Sequence, residues 1–380
     1  MIARTYPGLE EVLAAELAAL GAKEINAQKR AVFFKGGKDL LYRTNFLLRS
    51  AVRVHLRLFS FSIQNQDDLY RKIQDCDWRT LMLVTDTLAV DAHVHSPLFN
   101  HSKFAALRTK DAIVDQFRKH QGSRPSVDTE NPTIRVHVHL VDRECTVSLD
   151  SSGESLHLRG YRTQADKAPL NEVLAAGLVL LSGWDAKSPF IDPLCGAGTI
   201  PIEAGMLAYN IPPALRKARF GFFTWKDFDE KLWNSIREKA ISEIRTEGPI
   251  IVASDHSKKA VSMARVNAKN AGLENLIEIK CEEFQNLVPP PGPGTLIMNP
   301  PYGERLEEEN IEQLYELLGD KFKKDFAGWN AWVFSANLQA LKRVGLKPSK
   351  RIPLRNGPME ARLNLYELYA GKKEKPGRNE

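Results

Sequence analysis

The sequence contains no run of about 18 apolar residues. Its N-terminus also has no positive region followed by an apolar core, so neither a membrane span nor a signal peptide is expected. The resulting expectation is a cytoplasmic protein with no membrane association. Cysteine is scarce: Cys76, Cys145, Cys195 and Cys281 are scattered with no C-x-x-C pair, which argues against a disulfide framework or a zinc site. Reduced, mostly buried thiols follow, and no metal is expected. Also missing is the last glycine of a dinucleotide fingerprint, because Pro201 stands where G-x-G-x-x-G would close after Gly196 and Gly198. A nicotinamide or flavin cofactor is therefore not expected.

What is present suffices for two or three domains, with 380 residues, 43% hydrophobic and 26% charged. A net charge of +6 and a pI near 9.0 permit an acidic partner such as nucleic acid without requiring one. The excess is concentrated from Ala336 to Glu380, where eleven Lys and Arg face four acidic residues. The residues from Gly371 onward read as a solvated tail.

The chain is organised around Ser188 to Ala204, SPFIDPLCGAGTIPIEA, which has the layout of strand, tight turn and helix. Glycine often serves such a turn in α/β proteins without any ligand. An aspartate just before the turn, Asp192, suits a ligand bearing an ammonium group, where a phosphate loop would want lysine. This favours the amino-acid end of S-adenosylmethionine, with Cys195, Gly196, Gly198 and Thr199 forming the turn around it. Cys195 is expected to pack that loop and not to act as a nucleophile. A second strand, Pro249 to Asp255, ends in an acid positioned to accept the ribose hydroxyls, and a helix over Ser257 to Ala271 follows it.

The stretch Leu296 to Arg305, LIMNPPYGER, again follows an apolar strand. Methylating an exocyclic amine is difficult because its lone pair is delocalised into the base. Acceptors aimed at its N–H groups, the Asn299 side chain and the Pro300 carbonyl, favour a pyramidal nitrogen, while Tyr302 stacks on the base. A proline turn ending a strand is the plain alternative.

With DPLCGAGTIPIEA followed by NPPYGER, the sequence resembles the THUMP-domain class I S-adenosylmethionine-dependent methyltransferases that make N2-methylguanosine in bacterial 23S ribosomal RNA. The resemblance extends to Asn210 through Trp225 and to Pro7-Gly8-Leu9-Glu10, hence to nearly the whole chain. It implies an α/β protein: a ferredoxin-like subdomain over residues 1–62, a THUMP RNA-binding domain over 63–160 and a Rossmann-like methyltransferase domain over 161–380. It implies that Pro169 to Leu174 lies against the methionine end of the cofactor, and Glu282 or Glu283 near the adenine edge, where the family more often carries aspartate. The implied partner is ribosomal RNA, with no obligate protein partner. The rivals are an adenine-N6 DNA methyltransferase and a noncatalytic RNA-binding protein that keeps the cofactor fold.

Along the chain, helices are expected over Pro7 to Gly21, Lys38 to Leu48, Asp67 to Leu81 and Ser102 to His120, and an amphipathic one from near Leu170. Strands are expected at Ala31 to Phe34, Val52 to Phe61, Thr87 to Val94, Leu276 to Cys281, Trp329 to Ser335 and Arg362 to Tyr369, with a near-continuous strand hairpin over Thr133 to Leu149. Eight of the nine histidines lie within the first 157 residues, with His93, His95, His137 and His139 at strand spacing. One polar face of a half-exposed sheet accounts for them better than a metal site does. Lys103 and Lys110, with Arg108 and Arg118, lie on one expected helix and are candidates for an RNA-facing surface. In the segment after the glycine turn, Arg216, Lys217 and Arg219 interleave with Phe220, Phe222, Phe223 and Trp225. Phosphate contacts with base stacking, or a packed aromatic insertion, fit that pattern equally well.

Overall fold

The computed structural model describes residues 1–163, 169–301 and 308–369, with side chains from 311 onward in the last stretch. The first half begins with β1 (Ile2–Arg4), α1 (Glu10–Ala19), β2 (Lys23–Gln28), β3 (Ala31–Lys35), α2 (Lys38–Leu47) and β4 (Arg53–Ser62). It continues with α3 (Gln66–Gln74), β5 (Thr87–His95), α4 (Ser102–Gln121), β6 (Ser126–Val127), β7 (Ile134–Val141) and β8 (Glu144–Asp150). All eight strands join one sheet in the order β2-β3-β1-β4-β8-β7-β5-β6. The seam is the antiparallel β4/β8 pair, with His55 opposite Asp150 and Ser62 opposite Glu144.

The helix expected over Asp67 to Leu81 is two elements. Asn65 and Asp68 form a capping box that starts α3, which stops at Gln74. Asp77 then accepts from Arg79 N and opens a separate 3-10 turn, Trp78–Thr80. Alternation decides the faces of the sheet: Val136, Val138, Leu140, Val147 and Leu149 are buried in the core that also holds Ile113 and Phe117 of α4. The opposite face carries His55, His93, His137 and His139, whose rings follow one another at centroid distances of 4.8 Å (His55–His137), 6.4 Å (His137–His139) and 5.8 Å (His93–His139). No metal-holding group of His, Cys, Asp and Glu exists among the described residues. His55, however, is fully buried, deeper than a half-exposed polar face would place it.

Burial, then the positive charge of Arg4, pushes His137 down to about 3 and His139 to about 4. A histidine held below its unfolded value stays neutral in the native state, so the unfolded chain takes up protons first and stability falls as pH drops below about 6.5. His137 alone is expected to cost about 2 kcal/mol at about pH 5, and the more exposed His139 less. Urea midpoints at neutral and acidic pH test this, and His137→Gln should flatten the dependence.

The second half contains α5 (Glu172–Leu181), β9 (Phe190–Asp192), α6 (Thr199–Ala208), α7 (Glu230–Ser242), β10 (Ile251–Asp255), α8 (Lys258–Ala271) and β11 (Glu278–Cys281). It ends with β12 (Thr295–Met298), α9 (Glu308–Asp325), β13 (Asn330–Ser335), α10 (Ala340–Arg343), β14 (Lys350–Asn356) and β15 (Met359–Glu367). The strand order is β11-β10-β9-β12-β13-β15-β14, parallel as far as β13 and antiparallel beyond. Strands β9, β10 and β12 are buried along their whole length, as the central strands of a sheet covered on both faces must be. Helix α5 is not amphipathic: Glu172 through Val179 are all buried. Among the described residues, no helix is long and apolar enough to cross a membrane.

The aromatic segment after α6 settles one open alternative. Phe220, Phe222, Trp225 and Trp233 are buried in the first half's core. Phe222 stacks on Tyr42 at 4.4 Å, and Trp233 meets Phe46 edge-on at 5.3 Å. Tyr42 Oη accepts from Asp229 N at 3.0 Å, and Thr224 Oγ1 donates to Thr133 O at 2.6 Å. Base stacking by these rings is thereby overturned. Withdrawing each would forfeit roughly 1.5 to 3 kcal/mol of burial, about what stacking on a base returns. The insertion instead clasps the second half of the chain to the first.

Candidate functional site

The parallel strands place their chemistry at one edge. β9 lies between β10 and β12, with Ile191 level with Val252 on one side and Leu296 on the other. Strand order reverses there, and the crevice beyond the strand ends is where open α/β sheets bind ligands. Asp192, Asp255 and Asn299 all lie at or just past those ends.

Asp192 is buried, and its Oδ1 accepts from Leu194 N at 3.2 Å. Desolvation, with the nearby Asp255 charge adding to it, pushes its carboxyl well above the usual range. A cation arriving at this edge would offset that penalty. The turn itself is held by backbone bonds from Cys195 N to Ser254 O (2.9 Å) and from Gly198 N to Cys195 O (2.8 Å). Gly196 and Gly198 have φ of +53° and +83°, conformations that cost other residues strain. The two do different work. A Cβ on Gly198 would lie 3.1 Å from Ala264 Cβ of α8, whereas one on Gly196 would meet nothing within 4 Å, so that side of the turn is open space.

Asp255 secures the turn from the next strand: Oδ2 accepts from Gly196 N at 3.0 Å and Oδ1 from Ser257 N at 2.9 Å. Glu282 is half-buried beside it, its N–H donating to Asp255 O at 3.2 Å, while Glu283 is exposed. The Cys195 thiol is buried and pushed well up by desolvation and by the two aspartates, the surroundings of a packed thiol and not of an activated one. Thr199 opens α6, and its Oγ1 accepts from Arg162 Nη2 at 2.9 Å. Arg162 also donates to Leu170 O at 2.8 Å, which ties the start of α5 to the turn. Asn267 is a further residue of this site that periodicity alone did not single out. It is a fully buried amide on the otherwise apolar face of α8, and its Nδ2 donates to Ala197 O at 3.0 Å. The signal was a polar residue where helical spacing calls for an apolar one.

Just past β12, Asn299 Oδ1 is buried and has no hydrogen-bond partner among the described residues. Pro300 is buried next to it, and Tyr302 lies outside the described residues. The basic candidates lie elsewhere. Arg216 is half-buried, its stem beside Gly160 and its head beside Gly272, and Arg219 is exposed. On α4, Lys103 is exposed, Lys110 pairs with Asp111, and Arg108 is occupied by Asp67 and by the Tyr70 ring at 4.8 Å.

Residues 159–364 match the family described as RMKL-like, methyltransferase domain. The chain belongs to this methyltransferase family. Residues 64–150 match the THUMP domain, and 1–55 the RlmL ferredoxin-like domain. A Synechocystis sp. protein named "Putative RNA methyltransferase slr0064" is 40% identical, over 95% of each chain. The ribosomal RNA large subunit methyltransferase K/L of Syntrophotalea carbinolica is 39% identical over 95% of this chain but only 52% of its own length. This methyltransferase therefore spans about half of that relative. The crystal structure of SMU.472, "a putative methyltransferase complexed with SAH", superposes with a TM-score of 0.87 at 28% identity, covering 98% of each chain. S-adenosylmethionine is the cofactor of this methyltransferase, and the open cradle over Gly196 beside two aspartates fits it.

Proposed function

We propose that this methyltransferase transfers a methyl group to guanine N2 in 23S ribosomal RNA. The carrying observation is the buried, unpaired Oδ1 of Asn299, one strand away from the cofactor turn. A buried acceptor without a donor costs free energy unless a ligand supplies the N–H. An exocyclic amine does that. Asn299 Oδ1 and the Pro300 carbonyl accept its two N–H groups and draw the nitrogen toward a pyramidal shape, which returns the lone pair to the reacting direction. Tyr302 stacks on the base in this reading. S-adenosylmethionine, when bound, supplies an electrophilic methyl, so no strong base is needed to activate the amine.

In the same reading Asp192 takes the cofactor ammonium, Asp255 the ribose hydroxyls and Glu282 the adenine edge, with Cys195, Gly196, Gly198 and Thr199 forming the wall between them. Asp192→Ala is expected to weaken S-adenosylmethionine binding by about 1 to 3 kcal/mol, the scale of a lost charged hydrogen bond. Calorimetry on folded protein checks it, and unchanged affinity would remove Asp192 from the site. The THUMP segment within residues 63–160, with Lys103, Lys110, Arg216 and Arg219, provides the RNA contacts. The relatives named for RNA and ribosomal RNA methylation support that substrate. Mass spectrometry of digested substrates decides between targets. N2-methylguanosine in ribosomal RNA is expected, and methylated adenine in DNA with no such product would overturn it in favour of the rival.

A further inference from the structure

We infer that a cavity beside the connection between the two halves of the chain is a phosphate-binding site that holds the backbone of the RNA substrate. The inference rests on the RNA reading above and adds a specific contact to it. The cavity measures about 510 Å³, a size that admits a nucleotide, and is walled by the connection through His157 and Gly160, by Asn171 at the head of α5, and by Arg216 to Ala218. It carries more positive than negative charge. Arg159 is matched by Glu203, Arg162 by Glu172 at 3.3 Å, and Lys217 by Glu154 at 3.8 Å. Arg216 is left over: its guanidinium has no hydrogen bond or ion pair among the described residues, although the side chain is half-buried.

That arginine is built into place. A Cβ on Gly160 (φ +84°) would lie 3.2 Å from Arg216 Cβ, and one on Gly272 (φ +73°) 2.7 Å from its Nη2. Two left-handed glycines thus clear its path, one at the stem and one at the head. Capping the end of α8 does not explain it: among the described residues the guanidinium donates to no carbonyl there, and those of Ala268 and Lys269 accept from Leu273 N (2.8 Å) and Gly272 N (2.9 Å). A half-buried cation without a counterion is costly, and a planar guanidinium matches a phosphate with two parallel N–H bonds. Arg162, on the same cavity, donates to Thr199 in the cofactor turn, so a phosphate held here sits one side chain from the cofactor loop.

The test is filter binding of a labelled 23S ribosomal RNA transcript to the full chain over roughly 50 to 200 mM salt. Arg216→Gln and Ala218→Glu are each expected to weaken RNA binding about tenfold, and Arg216→Gln to reduce the logarithmic salt slope by about one. Cofactor affinity should stay unchanged. If Arg216→Gln does not fold, Ala218→Glu carries the test, since that residue is exposed and adds an acid to the wall without touching the arginine. Wild-type RNA affinity and slope in both variants would overturn the proposal. Calorimetric binding of inorganic phosphate that both variants lose, with RNA binding intact, would assign the cavity to a free phosphate and overturn it too. Duplex DNA serves as the second polyanion. A wild-type preference for DNA would sink the RNA reading itself, a result distinct from variants that match wild type on both.

Discussion

Asn299→Ala is expected to lower single-turnover methylation by about 10² to 10³, the scale of removing one preorganised hydrogen-bonding group from a transition state. S-adenosylmethionine affinity should remain nearly unchanged. The structure makes this variant cleaner than most at an active site. Asn299 Oδ1 bonds to nothing among the described residues, so deleting it strands no donor and should cost little stability. The loss should therefore appear in the chemical step, with thermal midpoint and cofactor binding close to wild type. Rapid-quench turnover with saturating cofactor is the measurement. A wild-type rate in folded Asn299→Ala protein would remove the residue from catalysis.

How far this site was legible depended on whether each residue's job is local. Asp192, the two glycines and Asp255 are readable because, in two separate short stretches, a buried strand, a turn and a helix leave their periods and their punctuation in consecutive residues. Asn299 and Pro300 form a four-residue motif with Pro301 and Tyr302 that carries its own chemistry. What the sequence hid is contact over distance. Phe220, Phe222 and Trp233 look the same whether they stack on a base or on Tyr42, and only the fold shows that they fill a core nearly two hundred residues earlier in the chain. A chain begun near Arg162 would lose that core, so its rings would be left in water. Edge strands were missed for a related reason. β2 (KEINAQ) is mostly polar, and β14 contains a proline that only an edge position tolerates. The buried ion pair that joins the halves has no local signature at all.

Glu203→Ala is expected to destabilise the protein by about 3 to 5 kcal/mol, because it leaves a buried arginine without its counter-charge. Arg159 and Glu203 are both sealed from solvent, with side chains 1% and 0% exposed and Nε 3.4 Å from Oε1. The arginine is committed on its other sides, donating Nη1 to Leu156 O at 2.7 Å and Nη2 to Arg49 O. It cannot swing out to water without breaking both bonds. Tyr161 Oη also donates to Glu203 Oε1, at 3.1 Å, and would lose its acceptor. Arg49 extends the joint by donating Nη2 to Met206 O (3.0 Å) and Ile211 O (2.9 Å), at the end of the helix that Glu203 occupies. Glu203→Gln separates charge from shape: it keeps the volume and an acceptor for Tyr161, yet should still cost most of the loss, since the stranded cation is the larger cost. The double variant Arg159→Met/Glu203→Leu should recover part of the stability, because two apolar side chains need neither desolvation nor each other, while Tyr161 and Arg49 still lose the carboxylate. Denaturant midpoints for the singles and the double form a complete cycle. Single variants within about 1 kcal/mol of wild type would show that the pair behaves like a surface ion pair and does not hold the halves together. Glu203 lies one helical turn beyond Thr199, so a loosened joint should also weaken S-adenosylmethionine binding in the singles. Restoration of that affinity in the double would place the coupling in the packing of α6, not in the charges themselves.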